Sequence, residues 1–340
     1  MIPTGDLPRF RAAAIQDAPV FLDAMATSAK AADLVGEAAA SGAKLIVFPE
    51  VFIPGYPYWN WITDPVTGSR WFERLSKSSI LLPGPEINLV CKAARHAGAI
   101  VVIGVNERDP VSVGSIYNTL VFIGADGKIF GRHRKLVPTW AEKLTWAGGD
   151  GSSLKVYDTP IGPLGGLACG ENTNTLARFA LLAQGELIHA ASYISLPVAP
   201  AGYDMADAIR LRATSHSFEG KLFTIVATST VSEEIITAME EVRPDARQML
   251  ERRSSAWSGV IGPDGRTVGE PLIDETGIVY ADIDLNRCIQ PKQMHDIVGH
   301  YNRFDIFKFE VNSASQTPLT IADEGVDASE SPPPTIEDEQ

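Results

Sequence analysis

Two periodicities alternate along the first third of the chain. Phe10–Gln16 is a short apolar run that reads as a strand. Asp23–Ala40 follows, Ala-rich, with Met25, Ala29, Ala32, Val35 and Ala39 at helical spacing. Ser41-Gly42 ends that helix, and Lys44–Phe48 is again apolar, a second buried strand. The unit recurs as a helix over Glu86–His96, stopped near Gly98, and a strand over Ala99–Val105. Leu120–Ile123 and Lys128–Arg132 flank Ala125-Asp126-Gly127, the composition of a hairpin turn.

The second half repeats the scheme. Leu164–Cys169, Leu187–Ala191 and Leu222–Thr228 read as strands, with helices over Thr173–Gln184 and Met205–Phe218. The hairpin Ile123-Gly-Ala-Asp-Gly-Lys-Ile-Phe-Gly131 has an echo in Ile261-Gly-Pro-Asp-Gly-Arg-Thr-Val-Gly269. Strands alternating with helices, plus hairpins, predict an α/β fold with mixed sheets. Two similar halves point to two sheets packed face to face with helices outside. The expected domain spans residues 8–312. From Ser313 the composition turns to Ser, Pro, Ala and acids, including Pro332-Pro333-Pro334, so 313–340 is expected to be a disordered acidic tail.

Composition narrows the function. With 340 residues and 45% hydrophobic content the chain can bury a large core. Its net charge of −13 leaves little with which to neutralise phosphates, so no nucleic-acid partner is expected. Seven of the acids lie beyond Val311, where there is no Lys or Arg, which leaves −6 for the remainder. The first apolar run is short and carries Arg11, so no signal peptide is expected, and no stretch has the length of a membrane span. Cys91, Cys169 and Cys288 are few, odd in number and far apart, which argues against a disulfide framework and for a reducing, cytoplasmic setting.

Four residues carry candidate chemistry. Cys169 ends an apolar strand and precedes a helix, and backbone N–H groups at such a turn favour a thiolate nucleophile; the bland reading is a buried structural thiol, as for Cys91 and Cys288. Glu50 follows the strand Lys44–Phe48, where partial burial suits a carboxylate to act as a base; otherwise it is a solvated loop acid. Lys135 and Glu142 follow a predicted strand and read in isolation as surface charges, with Pro138 between them barring any helical pairing. His295 and His300 are assigned to structure or a subunit surface rather than to a metal.

Together these segments resemble the nitrilase branch of the carbon–nitrogen hydrolase superfamily, from about residue 10 to about residue 310. The likeness rests on Phe48-Pro-Glu-Val-Phe-Ile-Pro-Gly-Tyr-Pro57, Gly131-Arg-His-Arg-Lys-Leu-Val-Pro-Thr139 and Trp146-Ala-Gly-Gly-Asp-Gly-Ser152. It continues in Cys169-Gly-Glu-Asn172 and Val298-Gly-His-Tyr-Asn-Arg-Phe-Asp305. The resemblance implies a four-layer αββα sandwich and a Glu50–Lys135–Cys169 triad with Glu142 as a second active-site glutamate. It also implies hydrolysis of a nitrile to acid and ammonia without metal or organic cofactor, and a homo-oligomer built from dimers, often a spiral or filament. An amidase or carbamoyl hydrolase with the same triad, a hydratase releasing the amide, and a catalytically inert binding protein are the competing readings. Tyr56, Tyr58, Trp59, Trp140, Trp146 and Asn172 are candidate pocket residues. Gly170 stands where the branch usually has Trp, a change expected to reshape the pocket.

Overall fold

The alternating pattern resolves, in the computed structural model, into twelve strands; residues 5–200, 202–317 and 319 are described. They are β1 (Arg9–Gln16), β2 (Ala43–Val47), β3 (Ile100–Arg108), β4 (Ile116–Ile123), β5 (Ile129–Arg134) and β6 (Trp146–Ala147). The second half supplies β7 (Leu164–Ala168), β8 (Ile188–Tyr193), β9 (Phe223–Thr228), β10 (Trp257–Ile261), β11 (Thr267–Ile273) and β12 (Gly277–Asp284). One sheet runs β12-β1-β2-β3-β4-β5 with β6 beside β4, the other β11-β10-β9-β8-β7.

The two halves share one topology. β1, β2 and β3 are mutually parallel and continue into antiparallel β4 and β5; β7, β8 and β9 are parallel and continue into antiparallel β10 and β11. The repeated hairpin sits at matching places. Gly124 N–H donates to Lys128 O at 2.8 Å, and Gly262 N–H donates to Arg266 O at 2.8 Å.

Burial on both faces explains why the strands read as near-continuous apolar runs. Leu45, Val47, Val102, Leu120 and Phe122 of the first sheet meet Leu164, Ile188, Ala190, Phe223 and Ile225 of the second, forming the central layer. Side chains that alternate with these, such as Ile46, Val101, Ile103 and Val121, pack outward against helices Ala24–Ala40 and Pro85–Ala97. The second sheet's outer face is covered by helices Thr175–Leu182 and Met205–Gly220 through Leu181, Ile209 and Ala213. The architecture is the expected αββα sandwich.

Several elements had weaker signals in the sequence. Helix Pro65–Ser78 starts on Asp64, whose carboxylate accepts from Val66 N and Thr67 N, with Pro65 at the first helical position. β12 is half-buried, mixes polar and apolar residues, and pairs with β1 along its whole length. Most of the expected tail 313–340 lies outside the described residues; residues 313–317 and 319 are exposed.

Candidate active site

Glu50 is delivered by a loop that leaves β2 and docks on β3. Phe48 N–H donates to Val102 O at 2.8 Å and Gly104 N–H to Pro49 O at 3.2 Å. The approach is so close that a Cβ on Gly104 would sit 2.3 Å from the Val51 nitrogen, which makes this position glycine-only. Val51 itself has φ of 42°, a costly conformation for a β-branched residue, of the kind that persists where surrounding contacts enforce it. The Glu50 side chain is buried. Asn118 Nδ2 donates to its Oε1 at 2.6 Å, whereas Oε2 has no protein partner among the described residues.

Lys135 stands one residue beyond β5, and its backbone N–H donates to Asn118 O. Its buried ammonium lies 2.8 Å from Glu50 Oε1 and 2.7 Å from Glu142 Oε2. The chain between Lys135 and Glu142 is folded back by a short 3-10 turn, Trp140–Leu144, in which Thr139 N–H donates to Glu142 Oε2 at 2.7 Å. Tyr56 OH donates to the other oxygen, Glu142 Oε1, at 2.9 Å.

Cys169 follows β7 directly and opens the 3-10 turn Cys169–Thr173, with φ of 49°. Asn172 Nδ2 donates to Leu167 O and Cys169 O, and Glu171 accepts from Ala168 N and Leu136 N. Sγ and one carboxylate oxygen each of Glu50 and Glu142 lie within 4.8 Å of one another. The cation of this cluster is the Lys135 ammonium, which holds both carboxylates itself.

Burial sets the protonation balance. It pushes Glu50 up to about 7, against the pull of Lys135 and with the help of Glu142. Burial opposes the Lys135 charge, but Glu142 and Glu50 outweigh it and hold its pKa well above the ordinary value. The Cys169 thiol is raised by burial and by Glu50, with Lys135 opposing. The resting site therefore pairs a neutral thiol with a carboxyl group whose proton affinity suits a general base near neutral pH.

The surrounding candidates separate. Trp146 lies with its ring centroid 6.0 Å from Lys135 Nζ and 5.6 Å from Tyr56, its Nε1 donating to Asn106 Oδ1. Tyr58 lines a narrow recess with Glu50 and Tyr56, its hydroxyl donating to Ser195 O. Trp59 instead stacks on Trp71 in the core, centroids 5.9 Å apart. Trp140 is 70% exposed and meets Trp61 edge-on. Gly170 borders an open cleft of about 250 Å³ with Leu136, Thr139, Trp140, Lys143 and Asn174, yet a Cβ at 170 would stand only 2.8 Å from Thr139 Oγ1. The cleft is open while the position itself admits no side chain without movement.

Two residues near the cluster escaped the sequence reading. Asn118 interrupts the apolar strand β4 with a polar group, a signal that was available. Tyr193, the last residue of β8, is fully buried with a hydroxyl that has no partner among the described residues; burial raises its pKa, Arg212 opposes, and Cys169 and Glu50 raise it further. An apolar strand ending in Tyr carries no local mark of that placement.

The sequence pattern of the carbon–nitrogen hydrolases matches residues 11–293. The chain is 39% identical over 321 residues to an aliphatic nitrilase of Rhodococcus rhodochrous, covering 92% of this chain and 85% of that one. The chain belongs to the nitrilase branch of the carbon–nitrogen hydrolase family. A nitrilase of Paraburkholderia phymatum is 36% identical over 309 residues, covering 91% and 88% of the two chains. In fold this nitrilase-branch chain is similar to a Saccharomyces cerevisiae member of branch 10 of the nitrilase superfamily, with TM-score 0.65, 20% identity, and 84% and 94% coverage. It is also similar to a carbon–nitrogen hydrolase of Helicobacter pylori, with TM-score 0.64, 20% identity, and 84% and 93% coverage.

Proposed function

We propose that the chain hydrolyses a nitrile to its carboxylic acid and ammonia through a covalent intermediate on Cys169. The observation that carries this reading is the Lys135 ammonium, bonded to both Glu50 and Glu142 within a buried cluster that also holds Cys169 Sγ. Glu50 takes the thiol proton, and the thiolate attacks the nitrile carbon to give a thioimidate. An ammonium has three donors, of which Lys135 uses two on carboxylates, so the third supports negative charge developing on the substrate. Glu50 and Glu142 relay protons as water adds and ammonia leaves, and a second water releases the acid from the thioester. Expulsion of the thiolate one step earlier would release an amide instead.

A panel of aliphatic and aromatic nitriles with their matching amides tests this reading, with acid, amide and ammonia quantified. Acid and ammonia from nitriles, without turnover of the amides, is the expected result. Turnover of amides alone makes the enzyme an amidase, amide as sole product makes it a hydratase, and no turnover leaves a binding protein.

The substrate-contact roles of Tyr56, Tyr58 and Trp146 are supported by their places around Glu50, Glu142 and Lys135. A homo-oligomer built from dimers is supported by Leu211 and Phe218, both exposed on helix Met205–Gly220; sedimentation and electron microscopy test it. No helix among the described residues is long and apolar enough to cross a membrane. A cytoplasmic location is supported by three free, buried cysteines, and cell fractionation tests it.

A further inference from the structure

Under the Cys169 turn runs a chain of buried hydrogen bonds that the chemistry above does not use. Asn172 spends its amide hydrogens on two backbone oxygens, Leu167 O at 3.2 Å and Cys169 O at 3.1 Å. The reverse orientation of that amide would aim its oxygen at both carbonyls, so Oδ1 must be the atom facing His189 Nε2 at 2.8 Å. His189 therefore donates from Nε2. Its Nδ1 lies 2.7 Å from Glu186 Oε1, and Glu186 Oε2 lies 2.9 Å from His216 Nε2. Asn172, His189, Glu186 and His216 are all buried.

The protonation states are mutually consistent. Burial works against ionised Glu186, but His189 and His216 overcome it and bring the carboxyl down to about 2. Burial and the neighbouring His189 lower His216 to about 4, so it is neutral, donates from Nε2 and leaves Nδ1 without a partner. With Asn172 Oδ1 and ionised Glu186 both accepting, every hydrogen bond has a donor only when His189 carries a hydrogen on each ring nitrogen, and the chain ends on the carbonyl of a residue held at φ of 49°. Left-handed backbone at a non-glycine residue persists only where its surroundings enforce it.

We propose that Glu186, His189 and Asn172 form a positioning relay for the nucleophile: by gripping the Cys169 carbonyl they hold its backbone in the left-handed turn and so keep Sγ beside the Glu50 and Glu142 carboxylates. The relay rests on the reading of Cys169 as nucleophile. His189 acts through Asn172 and touches no reacting atom. Small displacements of a reacting group cost rate without abolishing binding, so the relay shows itself in kcat rather than KM.

The test uses the full-length chain and a nitrile that it turns over. Asn172→Ala, Asn172→Asp, His189→Leu, His189→Gln and the double variant Asn172→Ala with His189→Leu are compared for kcat, KM and melting temperature. The rate of Cys169 alkylation by iodoacetamide, located by peptide mass spectrometry, is measured alongside. Asn172→Ala and His189→Leu should lower kcat on the order of 10- to 100-fold with little change in KM, and slow alkylation in parallel. His189→Gln, which retains a donor, should recover part of the loss. Asn172→Asp keeps the acceptor for His189 but cannot grip the carbonyls, and should match Asn172→Ala. The double variant should be no worse than Asn172→Ala. Multiplying losses in the double variant, a rise in KM at constant kcat, or unchanged alkylation in folded variants would each overturn the relay. Were parent enzyme alkylated at Cys169 to retain full turnover, the nucleophile assignment itself would fall, a result distinct from failure of the relay alone.

Discussion

His133 Nε2 lies 2.9 Å from Glu171 Oε2, a buried pair that fastens the strand leading to Lys135 onto the turn that holds Cys169. Burial opposes both charges, yet each holds the other ionised: Glu171 raises His133 above 6.5 and His133 lowers Glu171 below 4.5. Removing one partner leaves an uncompensated buried charge. His133→Ala is expected to cost about 3–5 kcal/mol in denaturant unfolding. The raised His133 contributes fully below 6.5 and loses its contribution as pH rises through its folded value. The lowered Glu171 contributes above 4.5 and loses its contribution as pH falls through its folded value. The pair is at full strength between 4.5 and 6.5, and the variant should show a flatter stability profile on both sides.

Cys169→Ala keeps a Cβ in the turn and removes only sulfur. Turnover should fall by about 10⁴-fold or more with the fold intact by circular dichroism. Hydrolysis at the parent rate would end the nucleophile assignment.

In the proposed mechanism Glu50, raised by burial to about 7, must be ionised to accept the thiol proton. The acid limb of kcat/KM should therefore have its midpoint near 7, with activity falling as pH drops, and Glu50→Gln should be inactive. Stability runs the other way. The folded chain binds this proton more tightly than the unfolded chain does, so the contribution of Glu50 declines as pH rises from 4.5 to about 7. Glu50→Gln should lose less stability over that interval than the parent.

A Cβ at position 170 would press on Thr139, whose backbone N–H holds Glu142. Gly170→Ala is expected to lower kcat about tenfold by displacing that support. In a Thr139→Ala background, which lacks the clashing Oγ1, Gly170→Ala should cost less than it does in the parent. Steady-state kinetics on the three variants decides it.

We propose that residues 313–340 are dispensable for turnover. Among the described residues of that segment, Gln316 N–H reaches the body by donating to Asp150 Oδ2 at 2.8 Å. Truncation after residue 312 should leave kcat and KM unchanged, and a collapse of activity would make the tail part of the working enzyme.

Much of the frame was legible because its causes are local. Strand and helix periods, the Ser41-Gly42 and Asp-Gly stops, and the doubled hairpin act within a few residues, and they account for both halves of the sandwich. Helix Pro65–Ser78 was missed, although Asp64-Pro65 is a start signal, because its buried stripe of Gly68, Trp71 and Leu75 is thin. β12 was missed because its partner, β1, lies at the other end of the chain.

The residue types of the site could be picked out for the same reason: a thiol at a strand end, a carboxylate after Pro49 and a lysine beyond a hairpin are local features. Their meeting is not. Lys135 and Glu50 are 85 positions apart, and their 2.8 Å contact depends on where the β2 exit loop docks against β3 and where the chain leaves β5. Lys135 and Glu142 are only seven apart, but Pro138 forbids the helix that would pair them, and a 3-10 turn folded against Tyr56 does so instead. Local chemistry chose which groups this protein carries; packing two sheets face to face decided which of them share a charge.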